Sequence, residues 1–228
     1  MTLKSGVDVT GPAPSPSGQP QPPAPAPPAF RAAFYKFRLE SMHIDNTRSL
    51  NNDTDHAGFG LMVGGTAVGG GPQTKFLGDV NNGDHDIGLE FGVAISSANE
   101  VIKFNYTIVN TGGNPSAVAQ TIINGLKGLI VGALTLGAFW TAVLAAIIPF
   151  LQQILGGACD GVVAADQFQF TGNDIWLSTL GTGKVSRSIF YPGTDSAIGC
   201  GSNSEYTVTW SISGAGLIPV LQPTNLNT

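Results

Sequence analysis

Apolar and polar residues alternate along much of the chain after Phe30, and this period of two constrains the fold more than any other feature. Successive side chains of a β-strand point to opposite faces, so the pattern is typical of a strand with one buried face. Four segments show it clearly, with the apolar faces Ala33, Tyr35, Phe37 and Leu39; Ile87, Leu89, Phe91, Val93 and Ile95; Ile102, Phe104, Tyr106 and Ile108; and Tyr206, Val208, Trp210 and Ile212. The sequence therefore predicts an all-β core.

Less regular strand candidates lie between these segments, separated by turns rich in Gly, Asn and Asp. We predict them around 58–63, 73–80, 162–170, 174–180 and 185–191. Short strands joined by such turns are typical of an antiparallel β-sandwich. A chain of 228 residues can form one such domain with appendages. We assign residues 1–29 to a proline-rich N-terminal arm and residues 30–228 to the sandwich domain.

A long apolar stretch interrupts the strand pattern after the third clear segment. Its first part is amphipathic and opens with a helix-start pattern at Pro115. Residues 128–159 then contain no charged side chain. We predict two helices with a break near Gly137, which form a helical-hairpin insertion at about 115–156.

Three explanations of this insertion stay open. A membrane span needs about 20 apolar residues, and residues 129–151 satisfy that length, although glycines interrupt them and each half is short for a crossing. The hairpin would otherwise fold over the sandwich, or be buried between subunits, because exposed apolar surface needs a partner. The residues that would contact a membrane or another subunit are Leu129, Val131, Leu136, Phe139, Trp140, Leu144 and Ile148.

The proline-rich stretch at 11–28 predicts an extended polyproline II tether, because prolines lack N–H donors and fix φ. The residues before it carry Leu3, Val7 and Val9 on one alternating face, enough for a short strand. Edge strands of a sandwich have unpaired N–H and C=O groups that a foreign strand can satisfy. We therefore expect the arm to act on a neighbouring subunit.

The charge balance excludes one class of partner. The chain has 15 acidic and 10 basic residues and a net charge of −5, without a clustered Lys/Arg footprint, so we expect no nucleic-acid binding. Only 11% of the residues are charged, a composition that many secreted or assembling proteins share. We therefore favour an extracellular or cell-surface location, although the N-terminus shows no apolar signal segment.

Acidic loops offer the best metal candidates. Hard cations such as Ca²⁺ prefer several oxygen ligands on flexible loops. The residues that would supply them are Asp53, Asp55, Asp79, Asn81 and Asp84. The spacing departs from an EF-hand loop, because Asp84 occupies the position that requires glycine. Asp and Asn also build turns, so calcium binding competes with a purely structural interpretation.

Other chemistry is sparse in the sequence. Cys159 and Cys200 allow one pairing, and we predict a disulfide between them, with two buried free thiols as the alternative. His56 and His85 each lie beside an aspartate. Such pairs can bind zinc or transfer protons, but they are also common at solvated turns. No phosphate loop, paired-cysteine zinc motif or dinucleotide fingerprint occurs. We therefore predict no catalytic residue and no enzyme activity, with Ca²⁺ as the one cofactor to test.

Together these features predict a non-enzymatic structural or interaction protein that associates with copies of itself. The apolar insertion and the N-terminal arm would make the contacts. The alternative is a membrane-inserting, pore-forming protein of the toxin type, in which the charge-free hairpin at 128–159 enters a bilayer.

Overall fold

The computed structural model describes residues 28–49, 52–131, 149, 151–152, 154–157, 159–180, 182–193 and 203–217. Within them the chain forms nine strands, two α-helices and one 3₁₀ turn. In chain order these are β1 (Ala33–Asn46), β2 (Asp53–Val63), β3 (Thr66–Ala67), the 3₁₀ turn (Val68–Gly70), β4 (Gln73–Val80), β5 (Gly83–Ile95), β6 (Val101–Asn110), α1 (Pro115–Val131), β7 (Gly161–Thr171), α2 (Gly172–Thr179), β8 (Lys184–Tyr191) and β9 (Glu205–Leu217).

The strands form two antiparallel sheets. Sheet A has the order β5-β1-β9-β8, and sheet B has the order β3-β2-β6-β7, with β4 also paired to β2. The buried apolar residues on the facing sides of both sheets belong to one continuous cluster, so the sheets face each other across a shared core. The predicted mostly-β fold with two antiparallel sheets is therefore confirmed.

Aromatic side chains fill the centre of this core. The ring of Phe104 on β6 lies 4.8 Å from that of Phe168 and 4.9 Å from that of Trp210, measured between centroids. Phe104 and Trp210 come from different sheets and are each 1% exposed. Their edge-to-face contact joins the two sheets, and both residues lie on the inward faces that the alternation predicts.

Helix α1 lies on the outer face of sheet B. Its apolar side packs there in a second buried cluster, made of Val109, Val118, Ile122, Leu126, Leu151 and Ala165. Gly58 of β2 lies directly under the helix. A Cβ atom at this position would be 2.3 Å from Ile122 Cγ2, so the absence of a side chain at Gly58 lets the helix approach the sheet.

Most of the remaining insertion lies outside the described residues. The break predicted near Gly137 falls there, as do the apolar candidates at 136, 139, 140, 144 and 148. Leu129 and Val131 belong to α1. Within the described part of the chain, no helix is long and apolar enough to cross a membrane.

Helix α2 occupies a segment for which the sequence pattern predicts a strand, at 174–180, and that prediction is wrong. A capping box starts the helix. Thr171 Oγ1 accepts a hydrogen bond from Asp174 N, and the Asp174 carboxylate accepts one from Thr171 N at 2.8 Å. These reciprocal bonds satisfy two backbone donors at the helix start and favour the helix over a strand.

The arm joins the sandwich beside α2. Residues 1–27 lie outside the described residues, so the predicted tether and strand stay predictions. The described chain begins at Pro28. Two residues later, the ring of Phe30 packs edge-on against Trp176 of α2, with centroids 6.4 Å apart.

Candidate functional site

Polar side chains concentrate at the end of the sandwich where the insertion leaves β6 and returns before β7. They come from the β1–β2 loop, β2, the end of β6, the returning insertion and the start of β9. We call this group the hub, and it consists of Arg48, Asp53, Asp55, Asn110, Thr111, Asp160 and Tyr206.

Asp53 is the centre of the hub. Its carboxylate accepts hydrogen bonds from the backbone N–H groups of Arg48 and Ser49, both at 2.7 Å. It also accepts from the Tyr206 hydroxyl at 2.7 Å and from Asn110 Nδ2 at 3.1 Å. Asp53 is 0% exposed, and these four donors satisfy a buried carboxylate that would otherwise be costly. The contacts fasten the β1–β2 loop, β6 and β9 to β2.

Asp55 is the next inward-facing residue of β2 and is also 0% exposed. Burial, and after it the nearby charge of Asp53, raise the pKa of Asp55 well above its usual range. The Tyr206 oxygen lies 2.9 Å from Asp55 Oδ2. Because a hydroxyl has one proton, Tyr206 can donate to only one of the two carboxyl groups at a time.

The returning end of the insertion is fastened through Asp160. Asp160 Oδ2 accepts from Gly156 N at 3.0 Å and from Gly157 N at 2.8 Å. The Thr111 hydroxyl, at the end of β6, lies 2.9 Å from the same oxygen and 3.2 Å from Ile154 O. The point where the insertion leaves the sheet is therefore bonded to the point where it returns.

A second link reaches the returning insertion through a backbone carbonyl. Cys159 O accepts from Arg48 Nε at 2.9 Å and from Asn110 Nδ2 at 3.1 Å. Because Asn110 also donates to Asp53, one amide joins the centre of the hub to the base of the insertion. The arrangement fixes five chain segments, and both carboxyl groups of the pair are fully buried.

A second acid, the half-buried Asp166, lies further along the core. The Tyr106 and Tyr191 hydroxyls are hydrogen-bonded to each other, and Tyr191 donates to Asp166 Oδ2 at 3.2 Å. Burial raises the pKa of Asp166. Tyr106 and Asp166 belong to sheet B and Tyr191 to sheet A, so this chain of bonds ties β8 to β6 and β7.

The structure separates the five calcium candidates. Asp53 and Asp55 start the buried strand β2 and point into the core, whereas we expected them in a loop. At the surface, Asp79 accepts from Thr54 Oγ1 at 2.7 Å, and Asp84 Oδ1 lies 2.7 Å from His43 Nδ1.

Asn81 lies in the β4–β5 turn, where its carbonyl pairs with His85 Nε2. Among the described residues, no group of three or more His, Cys, Asp or Glu side chains could hold a metal ion. The predicted convergence of the acidic loops is therefore not found, and no calcium site is assigned.

The disulfide between Cys159 and Cys200 stays a prediction. Cys159 is not a free cysteine, but Cys200 lies outside the described residues. The assembly candidates Leu3, Val7 and Val9 also lie outside them.

Sequence reasoning missed the role of the hub. Asp53 and Asp55 alternate in phase with the buried residues Ala57, Phe59 and Leu61. That phase indicated inward carboxyl groups, which require buried donors. Two of the donors, Asn110 and Tyr206, come from distant segments and carry no local signal.

Comparisons with known proteins give little further information. No protein-family model matches the chain, and no curated protein matches it. One solved structure with a similar shape is titled "Structure of a C2 domain"; it is 9% identical, the match covers 79% of this chain and 98% of that chain, and the TM-score is 0.29. A similarity at this score does not indicate a shared function.

Proposed function

We propose that this chain is a non-enzymatic interaction protein that assembles with copies of itself through its apolar insertion and its N-terminal arm. The observation that carries the proposal is the way the insertion is attached. Residues 132–148 contain no charged side chain, and the segments on both sides of them are held against the sandwich by α1 and by the hub.

Because the insertion is attached on both sides, it lies at a defined position on the sandwich. On one side, α1 packs its apolar face onto sheet B. On the other, Leu151 is 0% exposed in the same cluster, and Cys159 and Asp160 are bonded to the hub. The outer face of sheet B beneath α1 and Leu151 is therefore already covered. A charge-free segment of this length needs apolar contacts of its own, and we assign them to a second copy.

The buried carboxyl pair supports a structural role for the hub. Both Asp53 and Asp55 are 0% exposed, and a group that acts on a substrate has to reach the reacting atoms. We therefore assign the pair to holding loops and the insertion base together. The Pro-rich tether at 11–28 adds a second contact, since a polyproline II segment of that length spans on the order of 50 Å.

The test is the mass of the protein when the insertion is made polar. We would replace Phe139, Trp140 and Leu144 together by serine and measure mass by light scattering after size exclusion. The matched control is Phe76→Ser, which removes an aromatic side chain that is 50% exposed on β4. The proposal expects a lower mass for the triple variant and an unchanged mass for the control.

Two outcomes would overturn the proposal. One is an unchanged mass for a triple variant whose circular dichroism shows native folding. The other is an intact chain that is monomeric without lipid and releases dye from liposomes, which is the behaviour of a membrane-inserting protein.

A further inference from the structure

His56 is a buried ionisable side chain that the hub does not use. It lies on the outer face of β2 and is 2% exposed, so it is not at a solvated turn. Its ring packs on that of Phe76 of β4, with centroids 4.7 Å apart. Its partner in register on β6 is Val109, which belongs to the second buried cluster together with residues of α1. His56 therefore lies where the insertion base, meaning α1 and the described residues of 151–160, covers sheet B.

The imidazole ring is hydrogen-bonded at the point where the insertion leaves β6. Its partner is the backbone of Thr111. Because Thr111 N donates to Thr54 O at 2.9 Å, the Thr111 carbonyl accepts this bond and the ring donates it. The Thr111 hydroxyl also lies within hydrogen-bond distance of Asp160 Oδ2 and Ile154 O in the returning insertion. Thr111 thus joins His56 to the insertion base.

The second ring nitrogen has no partner. His56 Nε2 is buried and forms no hydrogen bond within the described part of the chain. A neutral imidazole has one N–H and one lone pair, so the bond to Thr111 uses the N–H and Nε2 keeps the lone pair. A proton on Nε2 would create a charged donor without an acceptor, away from water, which is costly. Burial accordingly lowers the pKa of His56 more than the bond to Thr111 raises it.

The acidic groups of the surrounding described elements do not bond to His56 Nε2. Asp53 and Asp55 face the core from the opposite side of β2. The carboxylates of Asp79 and Asp160 are bonded to other donors. The charged residues of β2, β4, β6 and the insertion base are Asp53, Asp55, Lys75, Asp79, Lys103, Lys127 and Asp160.

We propose that His56 is a pH sensor that keeps the insertion base closed at neutral pH and opens it in mild acid. Protonated His56 reaches water only if the base moves away from sheet B, and its bond to Thr111 is then lost. Opening would uncover the outer face of sheet B and release both ends of the charge-free segment 132–148. The inference goes beyond self-association, which requires no change with pH.

The direction of the pH effect follows from proton linkage. A histidine whose pKa is lowered in the closed state binds its proton more tightly in the open state. Opening is therefore favoured as the pH falls below about 6.5, the ordinary pKa of histidine, by at most about tenfold for each pH unit. His43, Asp55 and Asp166 have raised pKa values in the folded protein, so their protonation in acid favours the folded state instead.

The test is hydrogen–deuterium exchange of the 228-residue chain, with rates corrected for the intrinsic effect of pH. From about pH 7.5 to about pH 5.5, protection in α1 should fall by about three- to tenfold, while protection in β1 stays within about twofold. His56→Gln and His56→Phe do not take up this proton, so their protection in α1 should not fall. The matched controls His43→Gln and His85→Gln replace the other two histidines and should keep the fall.

Three results would overturn the inference. They are a change of less than about twofold in α1 of the parent protein, an equal fall in β1, and a fall that persists in both His56 variants. If both variants are already open at neutral pH, an NMR titration of the histidine rings in the parent protein decides. The His56 signal should then titrate below about pH 6.5, and titration at or above that pH would refute the sensor.

Discussion

Substitution of Gly58 is the most direct test of how closely α1 packs on sheet B. A Cβ atom at this position would lie 2.3 Å from Ile122 Cγ2 and 2.8 Å from Leu126 Cδ1. Carbon atoms in ordinary contact are about 3.5–4.0 Å apart, so the helix or its side chains must move outward by about 1.2 Å or more. Overpacking of this kind costs about 1–3 kcal/mol, and we expect Gly58→Ala to destabilise the protein by that amount.

A double-mutant cycle shows whether the cost comes from the named contact. Ile122→Ala removes the Cγ2 atom and by itself should cost about 2–5 kcal/mol, because it leaves a cavity in the second cluster. In that background the methyl group of Gly58→Ala enters the vacated space. We therefore expect its cost to fall by about 1–2 kcal/mol, a coupling between residues in contact.

The assay is urea unfolding, followed by far-ultraviolet circular dichroism. Gly112→Ala is the matched control, since a Cβ atom there meets no atom within 4 Å, and it should change stability by less than about 1 kcal/mol. The packing account fails if Gly58→Ala costs no more than Gly112→Ala, or if the two substitutions in the cycle are additive.

Three further substitutions test the hub and α2. Asp53→Asn should cost about 2–3 kcal/mol, because an amide nitrogen would face donors that now bind a carboxylate. Asp55→Asn should cost less at neutral pH, because the raised pKa of Asp55 favours its uncharged form. A larger loss for Asp55→Asn than for Asp53→Asn would contradict that reasoning. Because the folded-state pKa of Asp55 is raised, stability contributed by its bound proton is lost as pH rises through that pKa. Urea unfolding from about pH 5 to about pH 9 should therefore show a steeper decline for the parent protein than for Asp55→Asn, and parallel profiles would contradict this. Thr171→Ala should cost about 1 kcal/mol by removing the capping box of α2, and thermal unfolding that leaves the midpoint unchanged would show that the cap contributes nothing.

The strands were predictable because their signal is local. Alternation places Tyr35, Phe37 and Leu39 on one face of β1, and all three are buried. The same strand shows where the signal ends. The pairing register shifts between Leu39 and Ser41, after which Met42 and Ile44 become the inward residues. A bulge changes the phase of the pattern, and nothing in the neighbouring residues marks its position.

The hub was not predictable because two of the donors to Asp53 are far away in the sequence. Asp53 resembles a turn residue among other acidic residues, yet it is hydrogen-bonded to Tyr206, which lies 153 positions away, and to Asn110, which lies 57 positions away. Polar residues in a core are permitted only when their partners are present, and a single sequence does not show which distant residues meet. The same reason explains why the acidic loops suggested calcium while the fold separates them.

Helix α2 illustrates a third limit of the sequence pattern. Residues 174–180 are among the less regular strand candidates, but Thr171 and Asp174 form reciprocal hydrogen bonds at the helix start. The threonine and the acid three residues later are visible in the sequence and are typical of a helix N-terminus.

The mass of the intact chain in solution tests the central claim most directly. Sedimentation velocity of the 228-residue chain, without detergent and over about a hundredfold range of concentration around micromolar values, reports whether copies associate. The account predicts a species of at least two copies that persists without detergent and dissociates on dilution or when the insertion is made polar. A single species at the 23.5 kDa of one chain over the whole range would contradict it.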